Sequence, residues 1–173
     1  MKIALPVFVA ALALPTLVVA GPLPLANPGF EDGLEGWRKS ADNGMSQPLA
    51  EAAAEGKLGL RVTDNEPAKG SRLTSQRFAA KPGATYVVRF KARSHGGRGM
   101  GVYLRFYNKV EQPIELPHGH KFHLDIPEAQ TEWKAMELKA VAPADAAEVE
   151  VVLRSNNVAI TKADFDAFAL SEE

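Results

Sequence analysis

The stretch TYVVRFKAR, residues 85–93, alternates apolar and polar side chains from end to end. In an extended chain, successive side chains point to opposite faces. The apolar side chains therefore share one face: Tyr86, Val88, Phe90 and Ala92. The basic side chains share the other: Arg89, Lys91 and Arg93. This pattern predicts a β-strand with one buried face and one face in water.

Two segments further along repeat the alternation. Residues 100–107 carry apolar side chains on one face, namely Met100, Val102, Leu104 and Phe106. Their opposite face carries Tyr103, Arg105 and Tyr107. Residues 148–154 set Val149, Val151 and Leu153 against Glu148, Glu150 and Arg154. Weaker strand candidates are residues 47–54, 58–63, 72–79, 133–141 and 163–170. About eight strands separated by turn signals predict an all-β sandwich of two antiparallel sheets.

Residues 1–20 have the pattern of a secretory signal peptide. Lys2 supplies a positive charge, residues 3–20 are almost wholly apolar, and Ala20 closes a run of small residues. The alternative is a retained membrane anchor, because the apolar run approaches the length that spans a bilayer. Pro6, Pro15 and the lack of charge just after Ala20 favour cleavage. We therefore expect a protein secreted to the extracellular space or periplasm, with no membrane association after cleavage.

The remaining chain reads as a short Pro-rich lead-in, residues 21–26, and one domain, residues 27–173. It contains no cysteine, so packing rather than disulfides must hold the domain, and a cysteine-linked lipid anchor is excluded. The net charge of -1 gives no basic footprint for nucleic acid. We expect a monomer that does not bind nucleic acid.

Five short motifs, in order, resemble a carbohydrate-binding module of the family four, nine and twenty-two type. The first is Asn-Pro-Gly-Phe-Glu at residues 27–31, followed by Gly36-Trp37, which resembles the opening strand of the module. The others are GKLGLRV at 56–62, KPGATY at 81–86, TEW at 131–133 and DFDAFAL at 164–170. The resemblance implies a galactose-binding-like jelly roll that binds polysaccharide without catalysis, as an accessory to glycoside hydrolases. The large aromatic residues of these motifs are expected to fill the core: Phe30, Trp37, Tyr86 and Trp133.

The same resemblance implies a structural calcium site where the opening and closing strands meet. Its ligands are the Gly29 carbonyl, the Glu31 carboxylate, a donor near residues 55–57, taken as Lys57, and Asp166. Hard oxygen ligands from distant segments suit calcium, which would clamp the two ends of the domain together. The alternative is a solvated glutamate and an ordinary aspartate within a strand.

A row of polar side chains on the strand at residues 100–107 is the candidate carbohydrate site. Tyr103, Arg105 and Tyr107 are two residues apart and so lie on one side of the sheet. Other charged side chains extend the row if their strands belong to the same sheet: Arg89, Lys91, Arg93, Glu148, Glu150 and Arg154. Clustered arginine and lysine suit an acidic polysaccharide, because guanidinium forks match carboxylates and sulfates. The alternative is a solvated strand face, which is common for charged rows.

Three of the four histidines crowd into a long Pro-containing loop over residues 111–128. His118, His120 and His123 have a spacing that zinc or copper accepts, although no cysteine or acidic residue lies among them. The alternative is a polar loop that borders the carbohydrate site.

Motifs for catalysis are missing from the sequence. There is no Gly-x-Ser-x-Gly elbow, no phosphate-binding loop, and no carboxylate pair clearly placed across a cleft. We expect no enzyme activity. Two alternatives remain open, namely a structural or protein-binding sandwich without a sugar site, and a small polysaccharide-degrading enzyme.

Overall fold

The computed structural model describes residues 21–115 and 122–173. The predicted signal peptide and two histidines of the predicted cluster, His118 and His120, lie outside the described residues. Within the described residues, no helix is long and apolar enough to span a bilayer.

Strands account for nearly all of the regular structure in the described chain, and a single 3-10 turn, Ala50–Ala52, interrupts them. In chain order the strands are β1 (Gly21–Leu23), β2 (Arg38–Lys39), β3 (Ser46–Leu49), β4 (Gly59–Asp64), β5 (Arg72–Thr74), β6 (Phe78–Ala79), β7 (Thr85–Gly97), β8 (Met100–Tyr107), β9 (His123–Asp125), β10 (Lys134–Val141), β11 (Glu148–Ser155) and β12 (Thr161–Glu172). The strands predicted from alternation are found with boundaries shifted by a few residues, with two exceptions. Residues 72–79 form two short strands, β5 and β6, rather than one, and residues 50–54 of the candidate at 47–54 lie outside β3.

The strands form two sheets. Sheet A has the order β10–β7–β12–β4–β3. In addition, β1 pairs with the C-terminal end of β12, whereas β4 pairs with its N-terminal end. Sheet B has the order β2–β5–β11–β8–β9, with β6 also pairing with β11. All of the described strand pairs are antiparallel. The predicted sandwich of two antiparallel sheets is confirmed.

The apolar faces of the two sheets meet in one core. The inward faces predicted for β7, β8 and β11 are all buried. Phe30, Tyr86, Phe106 and Phe165 are among the largest fully buried side chains. Burial of each such ring contributes about 1.5–3 kcal/mol to folding. Trp133 was expected in this core, but it is only half-buried and lies on the outer face of sheet A, against Arg93.

The opening motif is a compact turn rather than a strand. The Asn27 side chain accepts a hydrogen bond from the Asp32 backbone N–H at 3.2 Å and donates one to the Gly33 carbonyl at 3.1 Å. The Trp37 indole N–H donates to the Asn27 carbonyl at 3.1 Å. These bonds fold the segment back so that the Phe30 and Trp37 rings meet, with centroids 5.1 Å apart. The motif is therefore a turn that packs two aromatic rings into the core, and the Asn27 side chain holds the turn in place.

Two segments predicted as irregular contribute edge strands. Within the lead-in, β1 pairs with the end of β12 and sets Leu23 opposite Leu170. Within the predicted loop at residues 111–128, β9 pairs with β8. Gly101 permits this second pairing, because a Cβ at that position would lie 2.9 Å from the Leu124 carbonyl oxygen. The loop thus lies along the edge of sheet B.

Candidate functional site

The outer face of sheet B holds a cavity of about 390 Å³. Four strands of that sheet supply its walls: β5, β8, β9 and β11. The residues that line it are Arg72, Tyr103, Leu104, Arg105, Phe106, Ile114, Glu115, Phe122, His123, Val152 and Arg154. We call this cavity the sheet B cleft. It brings together three of the residues predicted to bind carbohydrate, Tyr103, Arg105 and Arg154.

Strand register explains why these residues meet. Tyr103 on β8 lies opposite Val152 on β11 and opposite His123 on β9. Arg154 on β11 lies opposite Arg72 on β5. Directly paired residues of antiparallel strands present their side chains to the same face. The register therefore places an aromatic part of the cleft, Tyr103 with His123, beside an arginine-rich part, Arg72 with Arg154.

Tyr103 provides the flat surface of the cleft. Its half-buried ring stacks on the His123 ring, with centroids 5.1 Å apart and planes inclined by 20°. The Phe122 ring supports it from 6.3 Å. Burial raises the pKa of the Tyr103 phenol, and the nearby Asp125 carboxylate adds to that rise. The side chain is thus a neutral phenol at physiological pH, able to stack and to donate a hydrogen bond.

The arginines of the sheet B cleft repel one another. Burial lowers the pKa of Arg72, and the neighbouring charges of Arg105 and Arg154 lower it further. All three side chains are partly exposed, so their guanidinium groups can reach a bound molecule.

Tyr107 was predicted to continue the exposed row, and that prediction is wrong. The side chain is only 6% exposed. Its hydroxyl donates to the buried Glu150 carboxylate at 2.5 Å, and the Arg77 guanidinium carbon lies 3.7 Å from its ring centroid. Burial raises the pKa of the Tyr107 phenol, helped by the hydrogen bond to Glu150. Because Arg38 also donates to Glu150 at 2.9 Å, these side chains form a closed polar network beside the cleft.

The basic side chains of β7 were predicted to extend the row if their strand belonged to the same sheet, and it does not. β7 lies in sheet A, so Arg89, Lys91 and Arg93 face away from the sheet B cleft. Arg89 pairs with Glu137 at 2.7 Å and with Glu173 at 3.0 Å. Lys91 pairs with Glu55 at 2.5 Å. Arg89 and Arg93 are therefore removed from the candidate carbohydrate site.

Arg93 belongs instead to a charged cluster around Asp164 on sheet A. The buried Asp164 carboxylate accepts hydrogen bonds from Arg61 at 2.7 Å, Arg93 at 2.9 Å and His95 at 2.7 Å. Burial alone would raise the pKa of Asp164, but the hydrogen bonds from Arg61, His95 and Arg93 outweigh it and hold that pKa below its usual value. The cluster is internally satisfied and binds sheet A together.

Three of the four predicted calcium ligands lie together at one end of sheet A, and Lys57 is not among the residues that line their cavity. Gly29, Glu31 and Asp166 line one cavity of about 400 Å³. The Glu31 carboxylate accepts hydrogen bonds from the backbone N–H of Lys57 at 2.9 Å, and Asp166 accepts one from Glu55 N–H at 2.9 Å. A bulge in β12 between Asp166 and Ala169 accompanies this arrangement.

The donor set at this end is compatible with calcium but small. Gly56 is favoured there by its left-handed backbone, with φ of 64°, and a Cβ at this position would displace the Glu31 carboxylate from its present place. Among the described residues, no group of three or more His, Cys, Asp or Glu side chains is placed to hold a metal ion. Two carboxylates are present, so calcium coordination would also require backbone carbonyl oxygens, which are ordinary calcium ligands. Calcium binding remains a prediction.

Sequence reasoning missed Arg72, Phe122 and Val152 as parts of the cleft. Arg72 begins a predicted strand, and alternation alone shows only that it shares a face with Thr74. Its pairing with Arg154 depends on which strands are neighbours, and that cannot be obtained from local pattern. His123 was noticed as part of a histidine cluster, and the structure places it at the border of the cleft.

Comparison with known proteins shows the fold. No protein-family model matches the chain, and no curated protein matches it. Among solved structures, a family 16 carbohydrate-binding module matches with a TM-score of 0.59 and 21% identity, covering 83% of this chain and 96% of that one. The module TmCBM61, solved in complex with β-1,4-galactotriose, matches with a TM-score of 0.55 and 20% identity, covering 86% and 97%. The chain has the jelly-roll fold of these modules.

The predicted jelly-roll β-sandwich is thus confirmed as a fold. The same jelly roll also matches part of an enzymatically active domain, tailspike protein 4 of bacteriophage CBA120. That match has a TM-score of 0.68 and 11% identity, and it covers 86% of this chain but only 21% of the tailspike chain. Because one fold serves proteins of different kinds, function has to be argued from the site.

Proposed function

We propose that the protein is a non-catalytic carbohydrate-binding module whose saccharide lies in the sheet B cleft. The observation that carries the proposal is the Tyr103 ring, half-buried in a cavity of about 390 Å³ and bordered by arginine side chains. The comparisons support it at the level of fold, since two modules of this shape are described as carbohydrate-binding and one of them holds galactotriose.

Stacking and hydrogen bonding both contribute to binding of the saccharide. The apolar face of a sugar ring packs on the Tyr103 ring, which is held in place by His123 and Phe122. Arg72, Arg105 and Arg154 offer several N–H donors each to ring substituents. The cleft is built on strands, so little ordering is needed when a ligand binds. Affinity is nevertheless modest, because a few contacts must offset the lost freedom of the ligand.

The composition of the cleft favours binding over glycoside hydrolysis. Glycosidases of the usual kind require two carboxyl groups across the scissile bond. Among the described residues that line the cleft, Glu115 is the sole carboxylate. The raised pKa of Tyr103 keeps its hydroxyl protonated, so no phenolate is present there to act as a general base. The buried Glu150 carboxylate is engaged by Tyr107 and Arg38.

Native gels cast with neutral and acidic polysaccharides test the proposal. We expect at least one polysaccharide to retard the purified protein. We expect Tyr103→Ala to abolish that retardation and Trp133→Ala, the matched aromatic variant on sheet A, to keep it. Retardation by no polysaccharide, or retardation lost in Trp133→Ala but kept in Tyr103→Ala, would overturn the proposal. Release of sugar products during incubation would overturn the non-catalytic part.

We also propose that residues 1–20 direct export and are then removed. The support is the charged start, the apolar run and the small residues that end at Ala20. Mass spectrometry of protein recovered from the medium or periplasm should give a chain that begins at Gly21. A chain that keeps residues 1–20 and sediments with membranes would contradict this.

Calcium is the third part of the proposal. Glu31 and Asp166 would hold the ion together with the backbone carbonyls of Gly29 and Lys57, and the ion would neutralise two clustered carboxylates. Melting should occur several degrees higher in calcium than in a chelator, because a ligand bound only to the folded state stabilises it. Glu31→Gln should remove this difference, and the neighbouring Asp32→Asn should keep it. Equal melting temperatures with calcium and with chelator would contradict calcium binding.

A further inference from the structure

We infer that the saccharide recognised by the sheet B cleft is acidic, carrying a carboxylate or sulfate that lies against Arg72, Arg105 and Arg154. This inference rests on the proposed function and adds the chemical class of the ligand. It comes from the distribution of arginine partners over the whole molecule.

Arginines outside the cleft are paired with carboxylates. Six of the nine arginines in the sequence form a salt bridge to an Asp or Glu: Arg38, Arg61, Arg77, Arg89, Arg93 and Arg98. Within the described residues the three without one are Arg72, Arg105 and Arg154, and all three line the sheet B cleft. Residues 1–20 and 116–121 contain no Asp or Glu, so every side-chain carboxylate lies in the described part of the chain.

The clustering of these three arginines does not stabilise the folded state. Arg72 and Arg154 are direct partners across neighbouring strands, and like charges in that position are destabilising. The lowered pKa of Arg72 reports the same repulsion, after the larger effect of burial. Arg105 lies opposite Glu150, but that carboxylate is already bonded to Tyr107 and Arg38. An unfavourable local arrangement in a cavity marks a site kept for a ligand.

The remaining charged groups near the cleft leave a positive excess. Glu115 lies at its exposed rim, with no salt bridge to an arginine within the described residues. Asp125 lies 3.9 Å from the His123 ring nitrogen Nε2. It pairs with Gly101 from the side opposite Arg154, and within the described residues it forms no salt bridge to an arginine. Three guanidinium groups therefore face one exposed carboxylate within the cavity.

Guanidinium groups match planar or tetrahedral oxyanions through paired N–H donors. A uronate carboxylate or a sulfate group would relieve the repulsion between Arg72 and Arg154, and the sugar ring beside it would stack on Tyr103. A neutral sugar could use the ring but would leave the clustered charges unbalanced. The cleft should therefore prefer an acidic chain to the same chain without its anionic groups.

Paired polymers test this preference directly. Native gels would contain polygalacturonate, alginate, hyaluronan or chondroitin sulfate, each beside its carboxyl-reduced or desulfated form. Carboxyl reduction tests recognition of uronate carboxylates, and desulfation tests recognition of sulfate groups. We expect an acidic polymer to bind about tenfold more tightly than its neutral form, and each of Arg72→Gln, Arg105→Gln and Arg154→Gln to lower that affinity by about tenfold. The salt-bridged Arg89→Gln and Arg98→Gln serve as matched controls and should bind normally.

The outcomes separate this inference from the proposed function. Binding of a neutral polymer as tightly as its acidic form would overturn the inference and leave the proposed function standing. Binding of no polymer by a folded protein would overturn both. Equal loss in Arg98→Gln, or equal retardation by duplex DNA, would show non-specific charge attraction and overturn the inference. Because none of the three cleft arginines forms a salt bridge within the described chain, their replacement should leave the melting temperature equal or higher, which makes loss of binding interpretable.

Discussion

Asp164 shows how a single carboxylate can organise one side of the molecule. It is fully buried, and the hydrogen bonds from Arg61, Arg93 and His95 balance its charge. Burying a carboxylate is costly unless such partners are present, and removing one member of a buried pair costs more than the pair contributes. The alternation of β7 predicted that Arg93 would be on a wet face, but only the pairing of β7 with β12 reveals its acidic partner.

Asp164→Asn should lower the free energy of unfolding by about 2–3 kcal/mol at neutral pH, because it leaves the arginines without their carboxylate partner. The loss is limited because Arg61 and Arg93 are partly exposed and can be solvated by water. The pKa of Asp164 is lower in the folded state, so its stabilisation is full above the unfolded pKa of about 4 and is lost as the pH falls through the folded pKa. Denaturant melts taken from neutral pH down to about pH 2 should therefore show a difference between wild type and variant that begins to shrink near pH 4 and shrinks further as the pH falls. Asp145→Asn, at an exposed position, is the control; a constant difference at all these pH values would contradict the explanation.

The two tyrosines of β8 share a face but differ in role, because Arg77 covers only Tyr107. Tyr107→Phe removes a buried hydrogen bond to a charged group and should cost about 2 kcal/mol of stability while leaving saccharide binding intact. Within the described residues the Tyr103 hydroxyl makes no hydrogen bond, so Tyr103→Phe should change stability by less than about 0.5 kcal/mol. Chemical denaturation of both variants checks the pair. Equal losses would contradict the assignment of Tyr107 to the interior.

At the scale of elements, β9 is the strand that completes the cleft. It brings His123 against Tyr103, although prolines and histidines around it predicted a loop. Local sequence could not indicate this strand, because its three residues are stabilised by the edge of β8 rather than by their own pattern. Gly101 is the feature that admits it, and a glycine within an alternating strand is a known signal of close backbone approach.

Gly101→Ala should therefore detach β9 and cost about 1–3 kcal/mol, since the added methyl meets backbone rather than a flexible side chain. Hydrogen exchange should show lost protection of the Ile126 amide, which donates to the Met100 carbonyl at 2.8 Å beside the pair. Gly29→Ala is a matched control, because its added methyl meets the Asp166 carboxylate at an ordinary 3.4 Å. Unchanged exchange at Ile126 in Gly101→Ala would contradict this role.

At the scale of the whole molecule, the order of five short motifs predicted the jelly roll, and alternation predicted which faces are buried. Sheet membership was not predictable, because it depends on pairings between residues far apart in sequence, such as Arg72 with Arg154. That is why Arg89 and Arg93 were assigned to the wrong surface and Arg72 was missed. The two outer faces that result differ in chemistry. Sheet A has paired charges, and sheet B has an open cleft with unbalanced arginines.

Amide chemical shifts recorded while the best-retained oligosaccharide is titrated into the protein would locate the ligand most directly. We expect the largest changes on the strands of the cleft, at Tyr103, Arg105, Val152 and Arg154, with the outer residues of β7 and β10 unaffected. Changes centred on sheet A, around Arg93 and Trp133, with the amides of the cleft unmoved, would contradict carbohydrate binding in the sheet B cleft.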